Sequence, residues 1–175
     1  GRIMKVVVDA SNVAHYVKNE NGQPQMSNIL AAVKALEESE DEFVIIADAS
    51  LRHDIDDKER FLKLLGSENV EEVPAGNDAD HFILDIATRE KAKVLSNDKF
   101  SDYAAEFRNI ASMRIPFIID NGRLTFGKPK KPKKDKNILQ HICDEIIKEL
   151  TFKKWEIYTG KEGLEISPLN MAKTT

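Results

Sequence analysis

The sequence predicts an α/β fold: a three-layer α/β/α sandwich around a mainly parallel central sheet, with an antiparallel hairpin at one edge. Five short runs of consecutive apolar residues are typical of strands that are buried on both faces. Helical patterns with one apolar face lie between these runs, which is the alternation of βαβ units. The dipeptide Asn121-Gly122 indicates a tight hairpin turn.

Each element follows from a local pattern. The predicted strands are residues 4–9, 43–47, 70–73, 94–95 and 115–119, and the hairpin joins residues 117–119 to residues 123–126. Ser27 is predicted to cap a helix over residues 28–38, and Asp56 with Glu59 forms a start like a capping box for residues 57–65. Asn77 or Asp78 can cap a helix that runs to Arg89, and a shorter helix is predicted over residues 100–110.

Composition divides the chain into three parts: a main domain over residues 4–126, a Lys/Pro-rich linker over 127–136, and an appendage over 137–175. In the appendage we predict one amphipathic helix, with its apolar face formed by Ile138, Ile142, Ile146 and Leu150, followed by a small hairpin built from residues 155–158 and 164–166. The appendage is too short to form its own core, so we expect it to dock on the main domain, on a second copy of the chain or on a protein partner.

The bulk composition favours a soluble intracellular protein. Hydrophobic residues make up 41% of the chain and charged residues 32%, and no run approaches the ~18 apolar residues of a membrane span. The N-terminus lacks a signal-peptide pattern, so we expect a cytoplasmic protein with no membrane partner. Cys143 is the only cysteine, which excludes an internal disulfide and a multi-cysteine metal site, and a buried inert thiol is the default expectation.

Acidic residues mark the carboxyl ends of the predicted strands. Asp9 ends the first strand, Asp98 follows the fourth, and Asp78 and Asp80 open the helix after the third. Because ligands bind outside the carboxyl ends of strands in open parallel sheets, we expect these side chains to converge in one crevice. Two further acids are candidates for the same place, namely Asp48 and Asp102.

A group of like charges needs compensation, since unpaired buried carboxylates cost several kcal/mol. The segments VVVDASN, AGNDAD and LSND contain no basic residue. Oxygen ligands without cysteine favour Mg²⁺ or Mn²⁺ over Zn²⁺, and such an ion suits phosphodiester hydrolysis. The alternative stays open that Asp78, Asp80 and Asp98 are only helix caps, and that Asn12 and Ser11 only form a turn.

Three motifs, VVVDASNVA, NDADHFILDIA and KVLSNDKFSDY, closely resemble those of the PIN-like NYN ribonucleases, particularly the Regnase (MCPIP) type of endoribonuclease. The resemblance covers about residues 4–126. It implies a flavodoxin-like PIN sandwich, Mg²⁺ or Mn²⁺ as cofactor, and cleavage of single-stranded RNA by metal-activated water, leaving 5′-phosphate and 3′-hydroxyl ends. The zinc finger of the Regnase type is absent, since one cysteine cannot build it.

Carried over by position, the resemblance makes Asp9, Asp80 and Asp98 the metal-binding acids, with Asp102 as a fourth acid and Asn12 as a polar residue beside them. Ala79 separates Asp78 from Asp80, whereas the family often has adjacent acids there. Either aspartate therefore remains a candidate ligand, and we predict catalytic roles for Asp9, Asn12, Asp80, Asp98 and Asp102.

RNA contacts are expected from a basic segment, because residues 128–136 carry six lysines and one aspartate while the whole chain has a formal net charge of −4. The predicted contacts are Ser11, Arg52, Lys99, Lys128, Lys130, Lys131, Lys133 and Lys134. A solvated linker and ordinary surface charges are the alternatives.

Two other functions remain open at this stage. A catalytically weak RNA-binding or assembly module would keep the fold and use the lysine segment and the tail helix for contacts. A metal-dependent phosphatase would use Asp9 as nucleophile, although the dehalogenase pattern needs a second acid where Ser11 stands. No glycine-rich phosphate loop is present, which excludes a P-loop nucleotidase.

Overall fold

The computed structural model describes residues 3–128 and 136–162, with side chains given for residues 139–154 of the second range. The chain divides into two units, Gly1–Pro129 and Lys130–Thr175. Within the described residues, no helix is long and apolar enough to cross a membrane.

The first unit is built on a five-stranded parallel sheet with the strand order β3-β2-β1-β4-β5. Its strands are β1 (Lys5–Asp9), β2 (Glu42–Asp48), β3 (Val70–Val73), β4 (Lys93–Leu95) and β5 (Arg114–Ile115). A separate antiparallel sheet pairs β6 (Phe117–Asp120) with β7 (Arg123–Phe126). The predicted fold class and the Asn121-Gly122 hairpin are confirmed, and the hairpin forms its own sheet because Pro116 interrupts the predicted fifth strand.

Helices cover both faces of the parallel sheet. They are α1 (Ala10–Ala14), α2 (Met26–Glu38), α3 (Leu51–Asp54), α4 (Lys58–Leu65), α5 (Ala79–Glu90) and α6 (Ile110–Met113). In β1, Val6 and Val8 pack with the cluster that contains α1, α2 and α4, whereas Val7 packs with the cluster of α5 and α6. This two-sided burial is the physical reason for the continuous apolar run that the sequence shows at β1.

The helix boundaries differ from prediction where long-range contacts act. Helix α2 begins at Met26, one residue before the predicted cap Ser27, because Asp56 Oδ1 accepts the Met26 N–H at 2.8 Å. Helix α4 is capped by Asp57, whose side chain accepts the Arg60 N–H. Helix α5 begins after Asp78, which caps it and is one of the two residues predicted for that role.

The predicted helix over residues 100–110 is wrong. A 3-10 turn, Ser101–Tyr103, and the short α6 stand there instead. Phe100 is buried with a φ of +49°, a left-handed conformation that interrupts a right-handed helix, and the Asp98 side chain accepts the Phe100 N–H at 2.8 Å. A side-chain turn has therefore replaced the start of the helix.

The second unit contains helix α7 (Lys136–Glu162). Residues 155–158, predicted as a strand, belong to this helix, so that part of the predicted small hairpin is wrong; residues 164–166 lie outside the described range. Cys143 is exposed, which corrects the expectation of a buried thiol. An apolar stripe of α7 is exposed as well, formed by Leu139, Ile142, Ile146, Ile147 and Leu150.

The packed helix layer makes a stability prediction with a matched control. Leu36→Ala removes a fully buried side chain of α2 and is expected to lower the free energy of unfolding by about 2–5 kcal/mol. Leu62→Ala, on α4, truncates a leucine that is 51% exposed and should change it by less than about 0.5 kcal/mol. Urea denaturation of both variants measures the difference, and equal losses would contradict the assigned core.

Candidate active site

The strand order places a crevice between β1 and β4. The chain moves from β1 to β2 and β3 on one side and then crosses to β4 on the other side of β1. In parallel α/β sheets this reversal opens a crevice beyond the carboxyl ends of the two strands, where ligands bind. Asp9 ends β1 there, and Ser96, Asn97 and Asp98 follow β4.

Asp9 is the most buried of the predicted acids, with 5% of its surface exposed. Its Oδ1 accepts the Asn12 N–H at 3.1 Å, which caps α1, and its Oδ2 accepts the Ser96 hydroxyl at 2.9 Å. Burial raises the pKa of Asp9 to about 6, and the charges of Asp80 and Asp98 add to this effect, although the two hydrogen bonds act against it. The carboxylate is thus fixed in position and costly to ionise.

The two loops at the crevice are connected by polar side chains. Asn12 Oδ1 accepts the Asn97 N–H at 2.8 Å, and the Ser96 Oγ accepts the Asp98 N–H at 3.1 Å. Asn97 pairs with the backbone of Phe117 in both directions, donating to its carbonyl and accepting its N–H at 3.0 Å each. The residues S-N-D therefore form one network, although the sequence reasoning gave a role only to Asp98.

Asp80 lies in the first turn of α5 and is partly buried. The pKa of Asp80 is raised, chiefly by burial. The negative charges of four neighbouring aspartates raise it further: Asp98, Asp78, Asp48 and Asp102. These acids therefore lie near enough to Asp80 for their charges to act on it. Asp98 and Asp102 are exposed at the rim of this group, and Asp48 uses Oδ1 to accept the Ser50 N–H at 2.7 Å.

Asp78 has a different local role from Asp80. Its Oδ1 accepts the N–H groups of Asp80 and His81 at 3.1 and 3.3 Å as the cap of α5, and its Oδ2 accepts the Tyr103 hydroxyl. The Tyr103 hydrogen bond lowers the pKa of Asp78 and raises that of Tyr103 to about 12. Both carboxylate oxygens of Asp78 are thus engaged with protein donors. The role of Tyr103 was not predicted.

A second pair holds the same loop against α5. His81 Nε2 lies 2.7 Å from Glu106 Oε1, and the imidazole meets the ring of Phe107 edge to face at 5.4 Å. Together with the Tyr103 hydroxyl, this pair fixes residues 101–107 next to the helix start. Sequence patterns offered no signal for it, because 25 residues separate His81 from Glu106.

The predicted RNA contacts have mixed surroundings. Arg52 forms a bidentate ion pair with Glu72 at 2.6 and 2.8 Å, so its guanidinium is already neutralised. Ser11 is directed to His15 rather than to the acids, while Lys99 and Lys128 are exposed. The remaining contacts, Lys130, Lys131, Lys133 and Lys134, lie outside the described residues.

The donor set suits a hard divalent cation. Asp9 receives hydrogen bonds from neutral donors, and among residues 3–128 no lysine or arginine forms an ion pair with Asp9, Asp80 or Asp98. Carboxylate oxygens are the ligands that Mg²⁺ and Mn²⁺ prefer. In the described part of the chain, no three Asp, Glu, His or Cys side chains are drawn together as a ready-made metal cluster.

Two solved structures of nuclear proteinaceous RNase P 2 (PRORP2) from Arabidopsis thaliana are similar to the chain, each with a TM-score of 0.53. The identities are 17% and 18%, and the alignments cover 72% and 74% of this chain but 30% of each PRORP2 chain. The chain thus spans about a third of those proteins' length. The PIN domain endonuclease Utp24 aligns with a TM-score of 0.36 and 12% identity, over 70% of this chain and 90% of that chain.

The parallel sandwich with helices on both faces is the fold that the chain shares with the PRORP2 structures. The chain belongs to the family described as Zc3h12a-like ribonuclease NYN domain, whose model matches residues 3–141. The predicted family resemblance is thereby confirmed. Comparison with curated protein sequences gives no match. The description of this family is that of a ribonuclease domain.

The raised pKa of Asp9 predicts a pH effect on stability in buffer that contains a chelator. Between the ordinary value of 3.8 and about 6, the folded chain retains a proton on Asp9 that the unfolded chain has released. The free energy of unfolding therefore falls as the pH rises through this window, by up to about 3 kcal/mol from this group.

Asp9→Asn is expected to remove this slope, and Asp120→Asn, a change at an exposed acid, is expected to keep it. Urea denaturation at several pH values between 4 and 7 measures both. The same slope in Asp9→Asn as in the wild type would show that Asp9 does not carry the shift.

Proposed function

We propose that the protein is a metal-dependent endoribonuclease that cleaves single-stranded RNA and leaves 5′-phosphate and 3′-hydroxyl ends. The observation that carries the proposal is the buried carboxylate of Asp9, which shares its field with Asp80 and Asp98 at the strand-order reversal and has no basic partner in the described residues. Because buried negative charges without a partner are costly, this arrangement favours the binding of a cation. Mg²⁺ or Mn²⁺ is the proposed cofactor.

Each residue has a distinct part in this proposal. Asp9, Asp80 and Asp98 would hold the cation, which when bound lowers the pKa of coordinated water and neutralises phosphate charge. Ser96 and Asn12 fix the two loops, and the rim residue Asp102 adds to the negative field. The charge of Asp80 acts on Asp9 and raises its pKa, whereas Asp78 is exposed and caps α5. This favours Asp80 over Asp78 as the ligand from α5, with Asp78 as a positioning residue.

The lysine-rich segment of residues 128–136 is proposed to supply affinity for the RNA backbone. For single strands, each neutralised phosphate contributes a slope of about −0.7 to the dependence of binding on salt. A cytoplasmic location is part of the same proposal, since it would place the enzyme with RNA substrates.

Helix α7 supports association with a second copy of the chain. Leu139, Cys143, Ile146 and Leu150 are exposed and spaced by four, three and four residues, which is the seam pattern of a coiled coil. With these residues at the a and d positions, Glu149 and Lys154 occupy g and e. In a parallel pair these two positions attract each other across the seam.

The catalytic assignment is tested by two identical substitutions on one helix. Asp80→Asn removes a proposed ligand and is expected to reduce cleavage of an end-labelled single-stranded RNA by at least about 100-fold in Mn²⁺. Asp85→Asn, five residues further along α5 and exposed, should cleave as the wild type does. A chelator should stop the wild-type reaction.

Cleavage by Asp80→Asn at the wild-type rate would overturn the assignment. Retention of RNA without cleavage by the wild type in Mn²⁺ would favour the binding-module alternative. Release of phosphate from a small phosphomonoester, with RNA left intact, would favour the phosphatase alternative.

The association through α7 is tested by sedimentation over a range of protein concentrations. Ile146→Asp places a charge in the seam and is expected to lower the dimer fraction, whereas Phe152→Asp, on a different side of the helix, should leave it unchanged. Mild oxidation should also cross-link the wild type through Cys143, because a parallel seam places the two thiols opposite each other. A wild-type chain that stays monomeric at all concentrations would contradict the association.

A further inference from the structure

A cleft of about 430 Å³ lies beside the C-terminal half of α5, away from the catalytic acids. Its walls are the end of that helix, the start of β4, and the loop and short helix over residues 106–113. The chemically distinctive lining residues are Lys91, Lys93, Arg108, Phe107 and Met113. Three cationic side chains thus line the cleft together with two large apolar ones.

The charge of this cleft contrasts with the rest of its unit. Residues 3–128 contain 15 lysines and arginines against 23 aspartates and glutamates, a formal net charge of −8. Among the described residues, Lys91 and Arg108 take part in no ion pair, and Lys93 donates to the neutral Ser112 carbonyl at 2.6 Å. Glu106, the single acid among the lining residues, is bonded to His81. The cleft therefore keeps its positive charge.

Lys91 also has an unfavourable backbone conformation. It caps α5 with a φ of +54°, in the left-handed region where glycine is the usual residue at a helix end. A lysine there costs free energy relative to glycine, while its cation gains from the helix dipole and stands over the cleft.

A neighbouring concave surface lacks these properties. The cleft of about 550 Å³ between the end of β3 and α5 is lined by Asp78 and Asp85 and by no lysine or arginine. Phosphate would be repelled there. Of these two clefts, an anionic strand is thus better accommodated in the cationic one.

We propose that the cleft of Lys91, Lys93 and Arg108 is an RNA-binding exosite that holds backbone phosphates of the strand on one side of the cleavage position, with a base against Phe107 and Met113. The proposal rests on RNA being the substrate proposed above. Lys91 follows Asp80 by eleven residues, which is about 16 Å along the helix axis. That span corresponds to about five nucleotides at 3.4 Å per stacked phosphate, and to fewer in an extended strand.

The exosite is tested by binding alone, so that its outcome does not depend on cleavage. A fluorescent twelve-nucleotide oligouridine is titrated with the full chain in the presence of a chelator. The double variant Lys91→Gly/Arg108→Gln is expected to raise the Kd about tenfold at low salt and to make the salt slope shallower by about 1.4. Lys34→Gln/Lys58→Gln, two exposed lysines on α2 and α4, carries the same charge change and should bind as the wild type does.

The glycine substitution separates binding from folding. Lys91→Gly relieves the left-handed strain, so its urea midpoint should rise while its RNA affinity falls. Lys91→Arg should retain the affinity. Equal binding of oligouridine by the two double variants would overturn the exosite. It would also be overturned if Lys91→Gly/Arg108→Gln lost affinity for polyglutamate but not for oligouridine, a result that would indicate an acidic protein ligand. Cleavage measured with Asp80→Asn reports separately on the proposed catalytic function.

Discussion

The hydrogen bond between the Asp9 carboxylate and the Ser96 hydroxyl is the interaction on which the site depends. It joins the ends of β1 and β4, 87 residues apart, at the only place in the described parallel sheet where the strand order reverses. Asp9 Oδ1 caps α1 at the same time, so the carboxylate orients both the first helix and the fourth strand's loop. A charge so placed is expensive to bury, and the raised pKa of Asp9 expresses that cost.

Sequence patterns predicted the parts of the fold that local physics determines. Continuous apolar runs identify strands covered on both faces, and β1 has this burial on either side; an Asn-Gly pair identifies the hairpin turn. The acids could be assigned to one edge because every parallel strand ends there. These predictions required no knowledge of contacts between distant residues.

The predictions that failed depend on distant partners. Asp56 caps α2 from thirty residues away, so Ser27 was a reasonable local choice and a wrong one. The residues after Asp98 have a helical pattern, yet a side-chain turn and the left-handed Phe100 prevent the helix. Tyr103 packs against the core cluster of α5 and α6, and its hydroxyl also donates to Asp78. No spacing in the sequence predicts this bond, which distinguishes the surroundings of Asp78 from those of Asp80. Spacing along the chain contains none of this information.

Asn97 connects the small antiparallel sheet to the loop that carries Asp98. The side-chain amide of Asn97 donates to the carbonyl of Phe117 and accepts its N–H, as a neighbouring strand residue would. These two bonds hold the loop of Asp98 to the first residue of β6. The hairpin thus supports the loop of Asp98, and a substitution that disrupts the hairpin would displace this acid. Substitutions in β6 and β7 of this chain would therefore affect the site through its scaffold, without removing any of its acidic groups.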